Sequence, residues 1–301
     1  MHLLTRELWH GLHHALPRHP LLWYPLRHQD AARETPTFWL EFVPTILLMI
    51  AVIMSLVLWV VYGISPLTMV LLLMLLMDTY AGVIVTRGVT TSMQRARERG
   101  LLELMGVTPS GKMGAVWALM TRYLRRDQML AGLHQAAAWL HATWLFGLLP
   151  YAALVFVAFC SSTSFNQTEF AQIFNQPLSL LNGVCLFGIM IMDYLGALVS
   201  GALVGMIVPS IPGMRSESVY LAPLGFIALQ AVNYALVLAM HVAANAVLGV
   251  PGWLSGWTSS LTFMLAFVVV REGSLWVLCI VLARRMNTSV QDVLTIHRRS
   301  L

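Results

Sequence analysis

The stretch Gly106 to Met113, GVTPSGKM, falls one residue short of the phosphate-cradling pattern G-x-x-x-x-G-K-[ST], because Met113 stands where a Mg²⁺-binding hydroxyl is needed. Such a loop works between a buried strand and a helix N-terminus, where backbone N–H groups converge on phosphate. The preceding residues, TTSMQRARERGLLELM, instead place Met93, Ala96, Gly100, Leu101, Leu104 and Met105 on one helical stripe, with Arg95, Glu98, Arg99 and Glu103 elsewhere. LLLMLLMD, ending at Asp78, imitates the strand that completes a nucleotide site, but it lies within an apolar run of membrane-spanning length. The expectation is a chain that is not an enzyme and holds no cofactor of its own. Its glycines and Pro109 then mark a helix stop followed by a turn.

A second set of chemically capable residues lies inside the apolar runs. Asp78, Asp193 and the neighbours Arg271 and Glu272 interrupt three of them, and a charge at the bilayer centre costs about 2.5 to 3.5 kcal/mol on insertion scales. They must therefore face protein or water. At 1.5 Å per residue each lies roughly 18 to 20 Å from the outer end of its run, so all four are expected at one depth, with Arg271 as counter-ion for one or both aspartates. Such a cluster serves either as a gate in a polar pathway or as a structural ion pair that fixes helix register. The histidines offer no ligand spacing for a metal or haem: His10, His13 and His14 share an N-terminal segment, and His141 and His241 fall at different depths. Cys160, Cys185 and Cys279 read as reduced packing residues.

The elements that must position these residues follow from composition. Of 301 residues 58% are hydrophobic and 10% charged, which describes an all-α integral membrane protein rather than a soluble domain. Six transmembrane helices are expected within a domain covering 42–283: 42–64, 66–86, 138–160, 180–208, 220–248 and 258–283. Residues 1–41 form an N-terminal amphipathic, interfacial segment in which Leu4, Leu8, Leu12 and Leu16 make an apolar stripe, and 284–301 form a basic tail. The run MGAVWALM after Lys112 is cut short by Arg122, Arg125, Arg126 and Asp127 and is expected as an elbow at the interface. The first apolar run begins at Phe42, beyond the usual leader region, and is expected to act as its own anchor.

Four arginines precede the first span, eight basic residues lie in loop 87–137, Arg215 separates spans four and five, and four arginines follow span six. By the positive-inside rule both termini are expected in the cytoplasm of a multi-pass protein of the inner or plasma membrane. The net charge of +5 thus answers to lipid headgroups and not to nucleic acid.

In this setting RERGLLELMGVTPSGK, Arg97 to Lys112, resembles the first cytoplasmic loop of the type-2 ATP-binding-cassette exporter permeases, with its charged Arg-Glu-Arg-Gly start, short Leu-Glu-Leu helix, Thr-Pro and downstream Gly-Lys. TRELW at Thr5 is weakly similar to the family's N-terminal interfacial helix. The resemblance implies a coupling-type helix at 93–105, between spans two and three, that docks on a separate cytoplasmic ATPase through Glu98, Arg99, Gly100, Leu102, Glu103, Leu104, Thr108 and Pro109. It also implies a second permease copy or homologue, and a substrate moved by ATP hydrolysed on the partner. Leu101 departs from the family's usual Thr, and the stretch from Met113 to Leu130 delays the third span. The alternative is a permease-like structural or accessory subunit of a larger electron-transfer or light-harvesting assembly. Trp9, Trp23 and Trp39, with Trp253 and Trp257 toward the other side, would then pack on partners.

Overall fold

The computed structural model describes residues 4–5, 8–9, 66–100, 116–117, 120–121, 123–124, 130, 132, 134–135, 137, 167–211, 213–214, 217–248 and 255–288, with backbone alone for 66–73, 167–182, 248 and 255–259. Every secondary-structure element among them is helical: α1 Pro66–Glu98, α2 Gln167–Ile207 with a 3₁₀ turn at Val208–Ser210, α3 Ser218–Leu248 and α4 Ser255–Met286. Leu4, Thr5, Leu8 and Trp9 are also helical. Three stretches, Gly183–Ser210, Ser218–Val247 and Ser260–Met286, are long and apolar enough to cross a membrane. They correspond to the expected spans at 180–208, 220–248 and 258–283. The expected spans at 42–64 and 138–160 lie outside the described residues.

Helix α1 differs from the sequence expectation in length. It continues past Thr86 through TRGVTTSMQRARE as one helix of 33 residues, since nothing in that polar stretch breaks a helix. It stops at Gly100, whose φ of +66° suits a residue without Cβ and whose N–H donates to the Arg97 carbonyl at 2.8 Å. Residues 93–98 of the expected coupling-type helix are therefore the last turns of α1, while 101–105 lie outside the described residues. α4 ends in the same way: Asn287 has φ 53°, and the Thr288 N–H returns to the Ala283 carbonyl at 3.0 Å.

Two compact units divide the chain. The first comprises Met1–Leu133, Asp193–Ala231 and Glu272–Leu301, and the second His134–Met192 and Val232–Arg271.

In the first unit α1 and α2 meet backbone to backbone. A Cβ on Gly201 would stand 2.5 Å from the Gly82 carbonyl oxygen, and one on Gly205 would stand 2.8 Å from that of Thr86. Thr90 Oγ1 donates to its own helix at Thr86 and lies 3.2 Å from the Gly205 carbonyl oxygen across the contact. Small residues at four-residue spacing let helices approach this closely, and the approach supplies packing where lipid gives no hydrophobic drive. Ala197, Val204 and Phe226 form the adjoining core, covered by Val83, Val208, Leu229 and Leu278. Gln94 donates to Ser218 Oγ at 2.8 Å, and Arg97 donates to the Pro209 carbonyl at 3.1 Å, which fixes the end of α1 to the α2–α3 turn.

In the second unit Ile189, Val237, Ala266, Phe267 and Val270 form the core. Beside it His241 lies 3.1 Å from Asn245 Nδ2 and 3.2 Å from Thr262 Oγ1, which lies 3.3 Å from Asn245 Oδ1. These contacts tie α3 to α4 through polar side chains.

Candidate functional site

The α1–α2 contact places two of the four charges singled out from the sequence. Asp78, Gly82, Thr86 and Thr90 recur every four residues on α1, as do Asp193, Ala197, Gly201 and Gly205 on α2. A Cβ on Gly82 would meet the Ala197 carbonyl oxygen at 3.0 Å, and Gly205 pairs with Thr86 and Thr90 further along, so the helices run parallel. Asp78 and Asp193 thus continue the same two ridges one turn beyond the Gly82–Ala197 contact. Both are buried, at 3% and 0% exposure, and Asp78 interacts electrostatically with Tyr194, the residue after Asp193. Gln230 of α3 is buried too and stands one turn beyond Phe226, whose ring abuts Gly82. Gln230 was not singled out from the sequence, although an amide within a long apolar run was the signal that could have found it.

Glu272 is placed differently from the aspartates. Its Oε2 accepts from the backbone N–H of Leu4 at 2.8 Å, and its two oxygens lie 3.3 and 3.4 Å from the N–H of Thr5. The Thr5 hydroxyl donates to Oε1 as well. No local pattern announces this pairing, because 267 residues separate Thr5 from Glu272. The expected stripe does place Leu4 and Leu8 inward, and both are buried.

Arg271 belongs to the second unit, where it is almost fully buried. Its guanidinium lies 3.4 Å from the Tyr234 hydroxyl, 5.4 Å from the centre of that ring and 5.5 Å from the centre of Phe267. Aromatic faces attract a cation electrostatically and more strongly once it is desolvated, so this pocket offsets part of the cost of burying the charge. Tyr234 and Phe267 were not singled out from the sequence; both lie among apolar residues of the spans, where aromatic side chains are commonplace.

Of the expected docking residues, Glu98 is the last residue of α1, and Arg99 and Gly100 form the turn after it. The side chains of Glu98 and Arg99 are exposed. Leu102, Glu103, Leu104, Thr108 and Pro109 lie outside the described residues. Among the described residues no three His, Cys, Asp or Glu side chains gather in a way that could hold a metal ion.

No family model, no curated protein and no solved structure matches the chain. What the fold and site define is a helical membrane protein. One of its two buried aspartates, Asp78, sits on the helix that ends in an exposed, arginine-rich turn.

Proposed function

We propose that the chain is the membrane-spanning permease subunit of an ATP-binding-cassette-type transporter, moving its substrate with ATP hydrolysed by a separate cytoplasmic subunit. The observation that best supports this reading is the continuity of α1. Twenty residues separate Asp78 from Glu98 within one helix, about 30 Å at 1.5 Å per residue. A push on the turn at Gly100 would thus reach the buried Asp78 along a rigid element. The bonds from Gln94 to Ser218 and from Arg97 to Pro209 would carry the same push into α2 and α3. Coupling in this scheme is a difference in docking contacts between the nucleotide states of the ATPase, transmitted to whichever arrangement of the spans those contacts favour.

In this reading the bundle has six spans and works with a second copy or a homologue. The loop with the family-like sequence and both termini face the cytoplasm, where ATP is. Single cysteines at Ser110, Ser164 and Ser255, in a background with the three native cysteines replaced by alanine, test the orientation. An impermeant thiol reagent applied to intact cells is expected to label Ser164→Cys and Ser255→Cys and to spare Ser110→Cys. Labelling of Ser110→Cys alone would put the docking sequence on the side without ATP and would remove the reading.

A further inference from the structure

We infer that Glu272 is the seat of a strap formed by the N-terminal helical segment, which is thereby a fixed part of the bundle rather than a helix lying free on the lipid surface. Three donors converge on one carboxylate: the consecutive N–H groups of Leu4 and Thr5 and the Thr5 hydroxyl. Consecutive backbone N–H groups aimed at an anion are the pattern of a helix start, where they have no carbonyl partner within the helix and where the helix dipole favours negative charge. Here the anion comes from α4, 268 residues along the chain.

Burial shows that the contact is a seat and not a passing touch. Thr5 is 1% exposed, and Leu4 and Leu8, one turn apart on the same side, are buried with it. Leu4 and Leu8 supply apolar burial that does not depend on register, whereas the carboxylate fixes which turn of the segment sits against α4. Removing the carboxylate would leave the segment its greasy face but no anchor for its first turn. The seat would also give Glu272 an intramolecular role of its own, apart from Asp78 and Asp193. It does not depend on an ATPase partner.

Backbone hydrogen exchange of the purified full-length chain in detergent tests this, read on fragments spanning Leu4 to Trp9. In the wild-type chain these amides are expected to exchange slowly. Glu272→Gln, which keeps one acceptor oxygen but no charge, is expected to speed them about tenfold, and Glu272→Ala further, since hydrogen bonds to a charged group are the stronger kind. Fragments from the second half of α4 and from α1 should be unchanged. Thr5→Val, which leaves the carboxylate in place and removes only the hydroxyl, is expected to give a smaller acceleration confined to the N-terminal fragments. It decides the matter should the Glu272 variants unfold the whole bundle. Fast exchange of Leu4 to Trp9 in the wild-type chain, or exchange unaltered by all three substitutions, would overturn the seat.

Discussion

Alanine at Gly201 is expected to destabilise the folded bundle, whereas alanine at Gly273 is expected to leave it unchanged or slightly firmer. The two substitutions add the same methyl group to the interior of a helix, and helix propensity alone favours both by about 0.5 to 1 kcal/mol. What differs is the space. At Gly201 the new Cβ would stand 2.5 Å from the Gly82 carbonyl oxygen and 2.9 Å from Thr86 Oγ1, and the first of these is backbone that cannot swing aside. Helices α1 and α2 would have to part, with loss of the Thr90–Gly205 contact and of the packing around Ala197 and Phe226. Overpacking of this kind costs about 1 to 3 kcal/mol, and leucine at the same site would cost more. At Gly273 nothing lies within 4 Å of the added atom. Thermal unfolding of both variants in detergent, followed by size-exclusion profiles, separates them. Equal melting temperatures would mean that α1 and α2 do not touch through these glycines, and the placing of Asp78 beside Asp193 would fall with that contact.

The second large effect concerns the loop after α1. Leu102→Asp and Leu104→Asp are expected to detach the ATPase while leaving expression and membrane insertion almost unchanged, because 101–113 is a cytoplasmic stretch in this reading and not part of a span. A carboxylate forced into a desolvated contact costs a few kcal/mol, so a loss of about 100-fold in association is expected for each variant. Glu98 is the natural control. It is exposed at the very end of α1, where a charge on the rim of an interface contributes little, and Glu98→Gln is expected to change association only severalfold. Pull-down of the ATPase on immobilised wild-type and variant chains reads these ratios. Undiminished binding by Leu102→Asp and Leu104→Asp would reduce the loop to a surface element that holds topology.

Much of the scaffold is written in hydropathy, because a bilayer punishes any long helix that is not apolar. α3 and α4 begin and end within three residues of the runs at 220–248 and 258–283. Hydropathy reports where a helix leaves hydrocarbon and not where the helix ends. For that reason α1 outruns its apolar stretch by 12 residues, and α2 begins at Gln167, ahead of its own. Gly100 carries the local signal that does end α1, since a left-handed residue closes a helix wherever the surroundings lie.

The candidate site was legible as a set of charges and opaque as a set of partners. That Asp78 and Asp193 must turn inward follows from the cost of exposing them to lipid. That they continue the ridges made by Gly82 and by Ala197, Gly201 and Gly205 needs the knowledge that α1 and α2 are neighbours, which no local spacing provides. The link from Thr5 to Glu272 is hidden for the same reason and more deeply: Glu272 stands out as a charge in an apolar run, but nothing at Thr5 points to it across 267 residues. Tyr234 and Phe267 hide in plain sequence because aromatic side chains in a span become informative only when something charged lies beside them.

In the proposed function this chain passes force between a cytoplasmic ATPase and the membrane interior. Purification of the wild-type chain from its native membrane in mild detergent, with the stoichiometric partners identified by mass spectrometry, tests it most directly. The expected result is an ATP-binding-cassette ATPase in fixed ratio to this chain, retained through size exclusion and lost with the Leu102→Asp substitution. A stable electron-transfer or light-harvesting assembly that contains this chain in fixed ratio and no ATPase would contradict it.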